Sequence, residues 1–119
     1  MAYLKKILVT GGAGYIGAHV CKALADANYL PVVYDNLSSG QDWQVKWGPL
    51  ELGDLLDAGR LEAVFAQHAP TAVIHVATLA DMGALLNDRG EYYRNDIVAS
   101  LNLLEAMRRH GVNKIVLTS

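Results

Sequence analysis

The residues of this chain best suited to chemistry are Gly11, Gly14 and Gly17, spaced Gly-x-x-Gly-x-x-Gly directly after the apolar run Lys5 to Thr10. The chemistry they suit is anion binding. A Cβ at a tight turn, or facing a bound phosphate, would hold the backbone away from its ligand. Gly11 is expected to make the turn, Gly14 to permit close approach, and Gly17 to let the following helix pack on the strand. A helix starting near Gly14 aims unpaired N–H groups and the positive end of its dipole at the phosphates, so no lysine is needed.

The spacing is one residue longer at the front than the plain Gly-x-Gly-x-x-Gly fingerprint, and a glycine pattern alone is weak. Asp35 strengthens it. It follows a second apolar run, Leu30 to Tyr34, and lies 18 residues beyond Gly17, near the roughly 20 expected of an acid that accepts hydrogen bonds from the adenosine ribose. A carboxylate there repels a 2′-phosphate and so favours NAD over NADP.

These residues need a scaffold of alternating strands and helices. Apolar runs read as strands at Lys5 to Thr10, Leu30 to Tyr34, a short one ending near Leu52, Ala72 to Val76, and Lys114 to Thr118. Helix-period stretches fall at about Gly14 to Asn28, Ala58 to Ala69 and Arg94 to His110. In the last of these, Ile97, Leu101, Leu104 and Met107 are spaced to share one face, which is expected to pack on the core while Arg94, Arg108 and Arg109 stay wet. Pro70 and Gly111 stand where each helix should stop. Strand–helix alternation with right-handed crossovers gives an α/β fold, a Rossmann-type doubly wound parallel sheet of order 3-2-1-4-5, with a cleft between strands one and four. The polar stretch Asn36 to Asp42 is expected to be a mobile loop beside the adenosine.

At 119 residues, with 52% hydrophobic content, the chain is expected to be a single globular domain over residues 1–119. A net charge of −2 without a basic cluster argues against nucleic acid. Cys21, the single cysteine, has no disulfide partner and is read as a buried helix thiol. His19, His68, His75 and His110 are scattered without metal-ligand spacing, so no metal site is expected. The first apolar run is too short for a secretory core or a membrane span, and a cytoplasmic location is the expectation.

The segments Thr10-Gly11-Gly12-Ala13-Gly14-Tyr15-Ile16-Gly17, Asp35-Asn36-Leu37-Ser38-Ser39-Gly40, Gly53-Asp54-Leu55, His75-Val76-Ala77, Tyr92-Tyr93-Arg94-Asn95 and Leu101 to Met107 together resemble the extended short-chain dehydrogenase/reductases. Within that family the likeness is to the UDP-glucose 4-epimerases. The resemblance implies that Tyr15 and Ile16 meet the phosphates through their backbone and that Asp35 with Asn36 contacts the adenosine ribose. It further implies that Asp54 and Leu55 border the adenine, that Val76 and Ala77 lie under the nicotinamide side of the pyrophosphate, and that Asn95 is a helix-start amide touching the cofactor. For Asp54 and Asn95, local capping of a loop or helix is the competing explanation.

The chain also departs from the family. Ala80 stands where a lysine is usual, Asp96 and Val98 where asparagines are usual, and Ala84-Leu85 where a Glu-Ser pair is usual. The resemblance sets the catalytic Ser or Thr after the fifth strand and a Tyr-x-x-x-Lys pair about one helix later, and neither this pair nor a sugar domain lies within residues 1–119. No catalytic residue is therefore assigned, and the chain is expected to be a NAD platform, inactive alone, with UDP-sugar bound only by a complete enzyme. That enzyme is implied to interconvert UDP-glucose and UDP-galactose through a 4-keto intermediate. A noncatalytic dinucleotide-binding or interaction module, and a fragment of a sugar-nucleotide dehydratase or decarboxylase, are the alternatives. The fifth strand is expected to offer an exposed edge through which the chain self-associates.

Overall fold

The computed structural model describes residues 4–38, 40–76 and 89–118. Five strands, β1 (Lys6–Thr10), β2 (Leu30–Asp35), β3 (Leu50–Leu52), β4 (Ala72–Val76) and β5 (Ile115–Thr118), form one sheet of order β3-β2-β1-β4-β5. Every neighbouring pair is parallel. Among the described residues three helices, α1 (Tyr15–Asp26), α2 (Ala58–His68) and α3 (Arg89–Arg109), accompany the sheet, with a 3-10 turn at Asp42–Gln44.

Parallel strands flanked by helices are buried on both faces, which is why β1 and β2 read as near-continuous apolar runs. Leu8, Val32, Tyr34 and Val73 face α2 and α3, where they pack with Leu61, Phe65, Leu103 and Met107. Ile7, Val9 and Val33 face the other way, toward Cys21 of α1. Cys21 is buried, as expected of a helix thiol, and desolvation pushes its thiol up to about 11.

The helix ends follow local chemistry. Asp57 caps α2 by accepting the Arg60 N–H at 3.1 Å, and Ala69 leaves it in the left-handed region, φ 47°, before Pro70. Gly111 closes α3 at φ 70°, and the Val112 N–H returns 2.8 Å to the Met107 carbonyl, the left-handed cap expected of a glycine there.

Two expectations about α3 need correction. The helix begins at Arg89 rather than Arg94, so Asn95 sits more than a turn inside it and is not a helix-start amide. The buried face is Leu103, Ala106 and Met107; of the expected face only Met107 is buried, and Ile97, Leu101 and Leu104 are at least half exposed. The sequence offers two apolar stripes at helical spacing, and periodicity cannot say which one meets the sheet. Among the described residues no helix is long and apolar enough to cross a membrane.

Candidate functional site

The strand order reverses between β1 and β4, and a crevice of about 350 Å³ opens at the carboxyl ends of the strands there. Gly11 and the C-terminal end of β2 form one wall. Gly53 to Leu56 form a second, and His75 and Val76 with Asn95, Asp96 and Ala99 of α3 form the third.

The glycine turn is shaped as its sequence requires. Gly11 has φ 71°, a conformation that costs an L-residue about 1–2 kcal/mol. A Cβ on Gly17 would stand 2.3 Å from the Gly11 carbonyl oxygen and 2.5 Å from the Gly12 Cα. Gly17 thus packs the helix against the turn itself, a closer neighbour than the strand expected from sequence. Gly14 is the N-cap of α1 and offers no side-chain cap. The first intrahelical bond runs from the Ala18 N–H to the Gly14 carbonyl at 2.9 Å, so the amides of Tyr15, Ile16 and Gly17 precede the ladder. No acid occupies that first turn. The Tyr15 and Ile16 side chains are largely exposed.

Asp35 ends β2 beside this turn. Its Oδ2 accepts the Ala13 N–H at 3.0 Å and its Oδ1 the Leu37 N–H at 2.8 Å. Each carboxylate oxygen keeps a second lone pair for a ribose hydroxyl. Asn36 is exposed; its Oδ1 accepts the Ser38 N–H at 2.9 Å, and its Nδ2 lies 3.3 Å from Asp54 Oδ2. Asp54 also accepts the Leu56 N–H at 2.9 Å, so the local loop capping weighed against its ligand role is present. Asn102 of α3 donates to the Leu55 carbonyl at 2.8 Å and fixes that border.

Of the residues singled out from sequence, Gly11, Asp35, Asn36, Asp54, Leu55, Val76 and Asn95 line the crevice together. Gly14, Tyr15, Ile16 and Gly17, on the turn and first helical residues, are not among the residues that line it, and Ala77 falls outside the described residues, as do Ala80, Ala84 and Leu85. Sequence reasoning missed Tyr34 and His75 as site residues. Tyr34 is buried beneath the second wall, its hydroxyl donating to the Asp54 carbonyl at 2.7 Å, and desolvation pushes its phenol up to about 12. His75 accompanies Thr10 at the crevice base, and desolvation lowers its pKa against the opposing pull of the Asp96 carboxylate. The available signal was position: each is the penultimate residue of a parallel strand whose carboxyl end meets the crevice.

A family model for the NAD dependent epimerase/dehydratase family matches residues 7–119. The chain belongs to that family. The UDP-glucose 4-epimerase of Rhizobium leguminosarum bv. trifolii is 45% identical over 113 residues, which cover 95% of this chain and 35% of that protein. The crystal structure of UDP-glucose 4-epimerase from Brucella ovis in complex with NAD is similar at a TM-score of 0.89 and 43% identity, over 97% of this chain and 35% of that one. The UDP-glucose 4-epimerase of Thermotoga maritima with UDP-glucose matches at a TM-score of 0.88 and 35% identity, over 96% and 37%. This family member therefore spans about a third of the length of the relatives it matches.

Proposed function

We propose that this chain is the NAD-binding part of a UDP-glucose 4-epimerase-like sugar-nucleotide epimerase. The observation that carries the reading is the juxtaposition of uncapped α1 amides, a glycine turn and the Asp35 carboxylate at one sheet switch point. That set suits a dinucleotide: amides for the pyrophosphate, the carboxylate for an unphosphorylated ribose, and Leu55 for a flat base. Gly11, Gly14, Tyr15, Ile16 and Gly17 would hold the phosphates; Asp35 and Asn36 the ribose; Asp54 and Leu55 the adenine; Val76, Ala77 and Asn95 the nicotinamide side. When bound, NAD supplies a hydride acceptor and donor. In the whole protein the reaction is then oxidation of a UDP-sugar at C4 and return of hydride to the opposite face of the ketone, interconverting UDP-glucose and UDP-galactose. Groups for that proton transfer and for the sugar are assigned to the part of the relatives this chain does not span, so the chain alone binds nucleotide without turnover.

Calorimetric titration with NAD and, separately, NADP tests the reading. Binding of NAD with preference over NADP is expected; binding of neither, or preference for NADP, overturns it. The edge of β5, with Val116 and Leu117 more than half exposed, further supports self-association of a cytoplasmic protein through this strand. Sedimentation showing monomer alone at high micromolar concentration would remove that part.

A further inference from the structure

The carboxylate assigned to the ribose is also built into the phosphate turn. Three hydrogen bonds tie the turn to β2 and the segment after it: Gly11 N–H to the Tyr34 carbonyl at 2.9 Å, Ala13 N–H to Asp35 Oδ2 at 3.0 Å, and Gln41 N–H to the Ala13 carbonyl at 3.3 Å. The Ala13 peptide is thus held from both sides, and Ala13 is fully buried. Gly40 closes against it so tightly that a Cβ there would stand 2.7 Å from the Ala13 carbonyl oxygen and 3.0 Å from the Ala13 Cβ. The other Asp35 oxygen holds the Leu37 N–H, and Leu37 sits at φ 61°, a left-handed conformation unfavourable for leucine. Leu37 packs against the apolar cluster under α1. One side chain therefore fixes both the residue two beyond itself and the residue two beyond Gly11.

We propose that Asp35 is a positioning residue for the phosphate turn as well as a ribose contact, so that nucleotide selectivity and the shape of the pyrophosphate cradle are set by the same carboxylate. The proposal rests on the dinucleotide reading above. An ionised carboxylate accepts both amides, whereas an asparagine offers one acceptor oxygen and turns an NH₂ toward the other amide. Replacement of Asp35, the natural way to admit a 2′-phosphate, then loosens the turn it was meant to preserve. Gly40 packs on the same residue, Ala13, and is not among the residues that line the crevice.

The test uses a probe that has no ribose hydroxyls to recognise, 2′,3′-dideoxyadenosine diphosphate, beside NAD. Asp35→Asn is expected to weaken both ligands, the dideoxy probe by about tenfold, and to speed amide exchange at Ala13 or Leu37 by at least tenfold in the free protein. Gly40→Ala, which keeps the carboxylate, is expected to weaken the dideoxy probe likewise. An unchanged dideoxy affinity in Asp35→Asn, with NAD alone weakened, would confine Asp35 to the ribose and overturn the proposal. Unchanged exchange at both amides would overturn it too. Should the wild-type chain bind neither ligand, the dinucleotide reading fails by itself, and the exchange rates alone decide whether Asp35 holds the turn. Should Asp35→Asn not fold, Asp35→Ser, which also removes the paired acceptors, carries the same comparison.

Discussion

Thr10 Oγ1 and His75 Nδ1 lie 2.5 Å apart, joining residues that pair in register at the ends of β1 and β4. Thr10 also pairs with Tyr34 on β2. Tyr34, Thr10 and His75 thus form one row across three strands at the level where the crevice opens. Thr10 is fully buried, so the hydroxyl and the imidazole must satisfy one another, with the donor set by the histidine tautomer.

Replacing Thr10 with Val keeps the shape and removes the hydroxyl. Leaving the imidazole nitrogen short of a partner is expected to cost about 1–3 kcal/mol in urea denaturation. His75 has a lowered folded-state pKa, from desolvation first and despite Asp96. Its contribution to stability is therefore complete above the ordinary histidine value of about 6.5 and is lost as pH falls through the lowered value. A histidine NMR titration giving His75 a pKa at or above the ordinary value would contradict this.

Glu51 of β3 reaches two residues of α2: Arg60 Nη2 at 2.6 Å and His68 Nε2 at 2.9 Å. Its side chain is only 16% exposed. The hydrogen bonds from His68, then Arg60, hold the Glu51 carboxyl below the usual range. Stability from this group is thus present above the ordinary carboxylate value of about 4.3 and lost as pH falls through the lowered one. Glu51→Gln is expected to cost about 1–2 kcal/mol at pH 7. That penalty should shrink on acidification, and a pH-independent penalty in parallel denaturation curves would show that packing rather than charge is at stake.

How much of this was legible follows from what each signal depends on. The sheet order and the crevice follow from alternating apolar runs and the handedness of crossovers, both local in sequence. Gly11 and Gly17 were legible because a turn and a close approach demand glycine there. The buried stripe of α3 was legible only at Met107, because Ile97, Leu101 and Leu104 compete with Leu103 and Ala106 at helical spacing, and only the sheet chooses. The double duty of Asp35 was not legible either. Its Ala13 partner lies 22 residues away, and a ribose acid and a turn clamp look the same in sequence.

Tyr34 ties the end of β2 to the Asp54 carbonyl at 2.7 Å while only 1% exposed. Burial, then the Asp57 carboxylate, raise its phenol to about 12. A phenol with a raised folded pKa contributes stability in full below its ordinary value near 10, and that stability declines as pH rises from there to about 12. Alkaline unfolding should accordingly steepen in this window and flatten in Tyr34→Phe. At neutral pH the same variant is expected to lose about 1 kcal/mol and several-fold in NAD affinity, since the Asp54–Leu55 wall loses its anchor. Unchanged calorimetric affinity would separate Tyr34 from the site.

Two glycine-to-alanine changes should move the protein in opposite directions. At Gly17 the new methyl would meet the Gly11 carbonyl at 2.3 Å and the Gly12 backbone, atoms that can retreat only by opening the turn. Gly17→Ala is expected to cost about 2–3 kcal/mol by overpacking and to reduce NAD binding more than tenfold. At Gly59, exposed in the first turn of α2, the nearest atom is Asp57 Oδ1 at 3.7 Å, an ordinary contact. There the methyl meets no obstacle, and the lower backbone entropy of alanine should stabilise the helix by about 0.5 kcal/mol without altering binding. Thermal melts and titrations of the two variants side by side check the pair. A Gly17→Ala protein that binds NAD like the wild type would mean that the turn tolerates opening, and the cradle would then not depend on helix-to-turn contact.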